Sequence, residues 1–238
     1  MIVRIIFFIF SILLMPSLKA QSFWFGAKAG AGLNWQSWGN GLSSGLDRNQ
    51  LLSVPFDLFI ESFDEEGKGS FYAQLGYRTR GSAYRLFSNF GNINTSQQFK
   101  FNNLVLEVGI AKTIPKKILN LTPYYKLGMR GEYTLSTNLE DFLVFNSLFY
   151  PTDDFVKKWP WGFTVGGGFL YELEDLYGLL FEFTVNPDVG LQYEQPPLTN
   201  IRDPYTNQPT SIDLRQVRNL SLEFKLGIRF LRKVEYID

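Results

Sequence analysis

"FYAQLGYRTRGSAY", residues 71–84, sets Arg78 and Arg80 two positions apart in a run whose other members are apolar, small or uncharged. Alternation of this kind reads as a β-strand with two unlike faces. Both guanidinium groups fall on the face that holds Gly76, while Phe71, Ala73, Leu75 and Tyr77 fall on the other. Where those arginines point decides the fold class.

The same period of two continues through the chain, and a helical period is almost absent. It predicts eight strands, near 23 to 35, 51 to 63, 71 to 85, 101 to 112, 123 to 136, 161 to 172, 178 to 186 and 218 to 230. In the second, Val54, Phe56, Leu58 and Ile60 share one face and Pro55, Asp57, Phe59 and Glu61 the other. Each run approaches or exceeds the roughly 9–11 residues that a tilted strand needs to cross a bilayer. Connections after odd strands are long (36–50, 86–100, 137–160, 187–217) and those after even strands are short ("DEEGKG" 64–69, "TIPKKILNL" 113–121, "LEDLY" 173–177). Transmembrane barrels show this asymmetry, with short turns at one membrane face and long loops at the other.

Opposite the apolar rows lie Lys28, Arg78, Arg80, Lys126, Arg130, Lys225 and Arg229, with Asp57, Glu61, Glu107, Glu132, Glu172, Glu182 and Glu223. A charge facing lipid near the midplane costs about 2–4 kcal/mol, so this face must turn inward. An eight-stranded lumen is only wide enough to be filled by side chains. The expected fold is therefore all-β: an eight-stranded, closed, antiparallel transmembrane β-barrel whose lumen is plugged by ion pairs. Inward glycines, among them Gly76, Gly109 and Gly128, leave room for the long charged side chains. Aromatics at strand ends ("FWF" 23–25, Tyr124, Tyr125, "WPW" 159–161, Tyr171, Tyr177, Phe230) suit interfacial girdles. The rival is a soluble barrel of the lipocalin kind, with the apolar rows inside around a hydrophobic ligand.

Residues 1–20 read as an export signal: Arg4, an apolar core from Ile5 to Met15, and the small Ala20 before Gln21. Residues 21–238 are then one barrel domain, exported to the outer membrane. The 23 basic and 23 acidic residues balance, which leaves no basic excess for nucleic acid. There is no cysteine and no histidine, so disulfides, thiolate chemistry and serine–histidine mechanisms are excluded. A carboxylate pair, Glu107 with Glu132 or Asp57 with Glu61, is the remaining catalytic arrangement, and counterions are the commoner use of such groups beside cations. "GAKAGAG" (26–32) lacks the spacing of a dinucleotide loop, and Asp153 with Asp154 are too few for a calcium site. No catalytic residue, metal or cofactor is expected. The fourth long connection offers Tyr193, Arg202 and Tyr205 as surface contacts.

"FYAQLGYRTRGSAY", "LTPYYKLGMRGEY" (121–133), "WGFTVGGGFLYEL" (161–173) and the closing "LSLEFKLGIRF" (220–230) resemble strands of the small outer-membrane β-barrel proteins of Bacteroidota described as PorT-like. The resemblance spans the chain after its signal, and it departs from the usual pattern in ending on "LRKVEYID" after Phe230 rather than on an aromatic residue. It implies an outer-membrane location and, for PorT itself, a part in type IX protein secretion. The expected function is a non-enzymatic structural or interaction protein of the cell envelope, acting through its long loops. The alternatives are a PorT-like secretion accessory and a small pore or hydrophobic-ligand barrel. Expected partners are outer-membrane lipid and another envelope or secretion protein, not nucleic acid.

Overall fold

A computed structural model of the protein describes residues 22–39, 48–62, 69–86, 95–145, 151–203 and 206–233. The expected signal peptide, its cleavage point and Tyr205 lie outside the described residues. The strands run in the order β1 (Phe23–Gly39), β2 (Arg48–Ser53), β3 (Phe56–Ser62), β4 (Ser70–Leu86), β5 (Thr95–Thr113), β6 (Thr122–Thr137), β7 (Trp161–Glu174), β8 (Tyr177–Pro187), β9 (Tyr193–Gln195), β10 (Leu198–Arg202), β11 (Pro209–Ile212) and β12 (Arg215–Arg232).

Antiparallel pairing passes from β1 through β3, β4, β5, β6, β7 and β8 to β12, and β12 returns to β1 from Phe23↔Arg232 to Gly39↔Gln216. The pairing closes a ring of eight staves. The second stave is β2 and β3 together, interrupted at Pro55, which has no N–H to give to the ladder. Its register against β1 survives the break: Gly32 faces Ser53 on one side and Ala29 faces Phe56 on the other. Gly30 donates its N–H to the Pro55 carbonyl at 3.2 Å. Against β4 the same stave slips by one residue between Phe56↔Tyr77 and Gln50↔Ser82. Alternation in β4 fails there, and Arg80, Gly81, Ser82 and Ala83 are buried in succession.

Outside that slip, the two faces separate as charge requires. Leu58, Leu75, Leu106, Val108, Leu127, Phe183, Phe224 and Ile228 are exposed on the outer surface, while Lys28, Asp57, Arg78, Arg80, Glu107 and Glu182 are buried within. This is the arrangement of a lipid-facing apolar band around a polar interior. The lipocalin alternative is overturned, because it needs the apolar rows inside. The girdle expectation holds for Phe25, Tyr125, Trp159, Trp161, Tyr171 and Phe230, whose rings are exposed. It fails for Trp24, which is buried, and Tyr124, which is packed against the inner Phe59, Leu170 and Leu180. Both sit at inward parity and satisfy lumen charges instead.

Short connections gather at one end. In the turn after β5, Leu119 and Asn120 both take positive φ, 50° and 63°, the type I′ geometry whose twist matches flanking strands. At the other end the strands run past their expected limits: β5 begins at Thr95 and β12 at Arg215. The ladder persists beyond the apolar band, where the sequence no longer alternates in hydrophobicity. The connection after β8, read from the sequence as a long loop, contains β9, which pairs with the outer end of β12, and the β10–β11 hairpin.

Candidate functional site

The site is the lumen and the structure that seals its long-loop end. Period-two strands deliver its charges in tiers. At the turn end, Arg229 lies 3.9 Å over the Trp24 ring and 3.7 Å from Glu172. Glu61, half-buried, accepts a hydrogen bond from the Ser70 hydroxyl. One tier inward, the Glu182 carboxylate takes two bonds from Lys28 Nζ at 2.8 and 2.9 Å and one from the Tyr124 hydroxyl at 3.1 Å. Lys126 and Lys225 each approach it to 3.4 Å.

At mid-height, Arg78 donates to both Asp57 oxygens at 2.6 and 3.2 Å, and Lys225 donates to Asp57 at 3.0 Å. Glu223 bridges Arg78, Arg80 and Lys225 at 3.0, 3.1 and 2.9 Å. Glu107 accepts from the Tyr72 hydroxyl and Gln74 Nε2 at 2.7 Å each, from Thr164 at 3.0 Å, and pairs with Lys126 at 3.1 Å. Gly76 and Gly128 permit this: a Cβ on Gly76 would run into the Asp57 and Arg78 side chains, and one on Gly128 into the Tyr72 hydroxyl. Above, Glu132 binds Arg80 at 2.7 Å and Asn103 at 2.6 Å, and it also binds Arg130. Arg130 pairs in turn with Asp188 at 2.5 Å.

The carboxylates raised as catalytic pairs are therefore held by separate sets of donors. Asp57, Glu107 and Glu132 are buried and already hydrogen-bonded several times. Of the charges assigned inward, Glu172 departs from expectation, its side chain 53% exposed and shared between Lys117 and Arg229. It lies where β7 runs beyond the lumen into the turn rim, so parity no longer implies burial. Among the described residues, two buried charges lie outside the sequence reading, Asp188 and Arg215. Both continue the inward parity of their strands, Asp188 two residues past Asn186 and Arg215 two before Val217, at positions read as loop.

The long-loop end is sealed differently. Residues 188–193 turn into the mouth: Gln192 Nε2 donates to Thr134 Oγ1 at 2.8 Å, and Gln192 Oε1 accepts from Asn103 and Asn219 at 3.1 and 3.3 Å. Over this polar layer sits an apolar cap of Trp38, Phe99, Phe101, Leu139, Phe142, Tyr193 and Val217. Phe99 and Phe142 meet edge to face with centroids 4.5 Å apart, and Trp38 lies 5.8 Å from Tyr193. Tyr193 is thus corrected: its exposure is 0%, and burial pushes its hydroxyl pKa up to about 12. Arg202 is exposed on β10, its guanidinium 3.4 Å from Asn207 Oδ1.

Outside the cap, the Lys157–Glu194 ion pair at 2.9 Å joins the third long connection to the fourth, and hydrogen bonds from Lys157 hold the Glu194 carboxyl below its ordinary pKa. Beside it opens a groove of about 490 Å³ lined by Phe155, Val156, Pro196, Pro197 and Leu214. Within the lumen, the cavity between Lys28, Tyr72, Tyr124, Lys126 and Glu182 measures about 30 Å³, room for roughly two waters and not for an organic ligand. Among the described residues no three His, Cys, Asp or Glu side chains converge on a common point. Asp153 accepts instead from the Thr137 hydroxyl.

No protein-family model matches the chain, and no curated protein sequence matches it. Among solved structures it is similar to Neisserial surface protein A, NspA, with TM-score 0.48 and 13% identity over 87% of this chain and 96% of that one. It is similar also to the outer membrane protein OprG from Pseudomonas aeruginosa, with TM-score 0.49 and 12% identity over 89% and 97%. A third likeness is Ail, the attachment invasion locus protein of Yersinia pestis, solved with the heparin analogue sucrose octasulfate, at 0.41 and 10% over 88% and 99%. These are likenesses of overall shape; the barrel rests on its own strand pairing.

Proposed function

We propose that the protein is a non-enzymatic β-barrel of the outer membrane that serves the cell envelope as an interaction protein through its long-loop face. One observation carries this reading: the lumen is filled by ion pairs and covered by an ordered apolar cap, while the same end of the barrel presents a structured outer surface. A plugged lumen opposes the pore alternative, since a solute would have to displace buried, mutually bonded charges, and a lumen cavity of about 30 Å³ is too small for an internal hydrophobic ligand. The β10–β11 hairpin with Arg202 and the groove beside the Lys157–Glu194 pair are the surfaces we assign to contact with a partner. Outer-membrane placement is supported by the apolar band, which suits lipid, and by the export signal read from residues 1–20.

The finer reading, a PorT-like accessory of type IX secretion in Bacteroidota, has the sequence resemblance as its support. One experiment separates the readings. Cross-linking in native membranes, detergent extraction, pulldown and mass spectrometry are run beside a gel test for heat-modifiable migration and conductance measurements in planar bilayers. A heat-modifiable, non-conducting protein that captures an envelope protein through the loops supports the proposal, and capture of a large translocon favours the secretion role. Steady single-channel conductance, or recovery of the protein from the soluble periplasm, would sink it.

A further inference from the structure

Outside the apolar cap, the third and fourth long connections enclose the groove of about 490 Å³ between Phe155, Val156, Pro196, Pro197 and Leu214. Its floor is anchored. Phe155 and Val156 pack against the cap, and the Phe155 ring meets the buried Tyr193 edge to face with centroids 6.2 Å apart. One wall is Pro196 and Pro197, whose rings are rigid and whose nitrogens carry no hydrogen. That wall accepts hydrogen bonds through its carbonyls and donates none. Of the charges at the groove, Lys157 and Glu194 answer each other at 2.9 Å, and Gln216 Nε2 donates to the other Glu194 oxygen at 3.1 Å. Asp154 also lines the groove; it is exposed and makes no ion pair among the described residues, whereas its neighbour Asp153 accepts from the Thr137 hydroxyl. The groove therefore combines an apolar trough, an aromatic ring, a wall that only accepts, and one uncompensated negative charge.

We propose that this groove receives an arginine side chain presented by an extended segment of another envelope protein. The inference rests on the reading that the long-loop face meets a partner, and it names the chemistry of the contact. Arginine answers every one of these features. Its methylene stem lies along Val156, Leu214 and the prolines, and its planar guanidinium stacks on the Phe155 ring. Its five donors suit a wall that offers only acceptors, and its charge meets the Asp154 carboxylate. An apolar side chain leaves Asp154 unanswered, and an acidic one is repelled by it. Lysine brings the charge without the planar stack or the fork of donors. The volume lies within the roughly 300–1,000 Å³ of sites that take drug-sized ligands, room for a short peptide segment around the arginine rather than for a lone ion. Walls fixed by two prolines and by the cap lower the ordering cost of binding.

The test immobilises the full-length barrel in detergent micelles and passes over it heptapeptide libraries that fix the central residue as arginine, lysine, leucine or glutamate and randomise the flanks. Retained peptides are quantified by mass spectrometry. Arginine-centred peptides are expected to be retained about tenfold above glutamate-centred ones and a few-fold above the leucine- and lysine-centred sets, the modest margin of a solvent-exposed charge pair. Asp154→Asn is expected to bring arginine down to the level of leucine. Leu214→Lys, which sets a cation in the trough, is expected to abolish retention of arginine-centred peptides while heat-modifiable migration shows an intact barrel. Equal retention of all the libraries, or an arginine preference that survives Asp154→Asn, overturns the proposal. So does self-association of the barrel that Leu214→Lys abolishes with no peptide retained. Cross-linking in native membranes separates this inference from the reading beneath it. A captured partner whose yield is unchanged in Leu214→Lys overturns the arginine groove and leaves the interaction role standing, whereas the absence of both captured partner and retained peptide counts against the two together.

Discussion

At the turn end the lumen closes on side chains that the barrel strands carry themselves, such as Arg229 over Trp24 and Lys28 on Glu182. At the long-loop end it closes on side chains brought in by connections, Leu139, Phe142 and Tyr193, seated over Trp38, Phe99 and Val217. The first seal is electrostatic and integral to the staves; the second is apolar and separable from them. Beyond Asp188 and Gln192, which bond into the lumen, the loops can therefore change at the outer surface without disturbing the ion pairs beneath. That separation suits a scaffold that displays a recognition face, and it makes the two seals distinguishable by experiment.

The largest effect is expected in the plug. Glu132→Ala leaves Arg80 and Arg130 buried without their shared carboxylate, and breaking a buried pair in this way costs about 3–5 kcal/mol. Urea unfolding in detergent micelles, followed by heat-modifiable mobility, measures it. A loss below about 1 kcal/mol would mean that water replaces the carboxylate and the plug is not a fixed structure.

Next comes Gly76→Val, which forces a side chain between Asp57 and Arg78 and should cost about 1–3 kcal/mol by overpacking. In the same assay the outward Gly131→Phe is expected to leave stability unchanged. If the two behave alike, inside and outside have been misassigned.

Phe99→Ala sharpens the contrast from the other end. The cost of truncating a packed phenylalanine falls on the cap, so limited proteolysis should cut the third and fourth connections faster. The barrel's unfolding free energy should change by no more than about 0.5 kcal/mol, and planar bilayers should still show no conductance because the plug lies below. Global destabilisation would show that cap and staves form one cooperative unit.

The smallest effect is the pH response of the loop junction. Lys157 lowers the Glu194 pKa in the folded protein, so the pair's contribution is complete above the ordinary carboxylate range and disappears as pH falls through the lowered value. Amide protection in both connections, corrected for the intrinsic exchange rate, should therefore fall as the pH drops below the ordinary carboxylate range, and Lys157→Gln should abolish the step. The pair is solvent-exposed and will weaken with salt.

Much of the barrel is legible in the alternation of single strands. Residues 71–78 alone place Arg78 opposite Leu75 and Tyr77, and the prohibitive cost of charge in lipid then assigns inside and outside without reference to the rest of the chain. Fourteen lumen charges were named from that parity, and the one exposed beyond expectation, Glu172, lies where a strand overruns the lumen. The local rule carries no information about where the lumen ends. Asp188 and Arg215 were missed for the complementary reason: their strands continue after the hydrophobic rhythm has stopped.

Sequence by itself therefore determined the eight staves of the ring, the two faces and the filling of the interior, because lipid imposes on every outward position a requirement that composition records directly. Tertiary structure alone decided which carboxylate meets which cation, since Arg80 and Glu223 are neighbours only once β12 closes on β1. It also decided that Tyr193 is buried and that Gln192 turns into the mouth. Each of these depends on register and closure between segments far apart in the chain, where no local pattern can specify the partner.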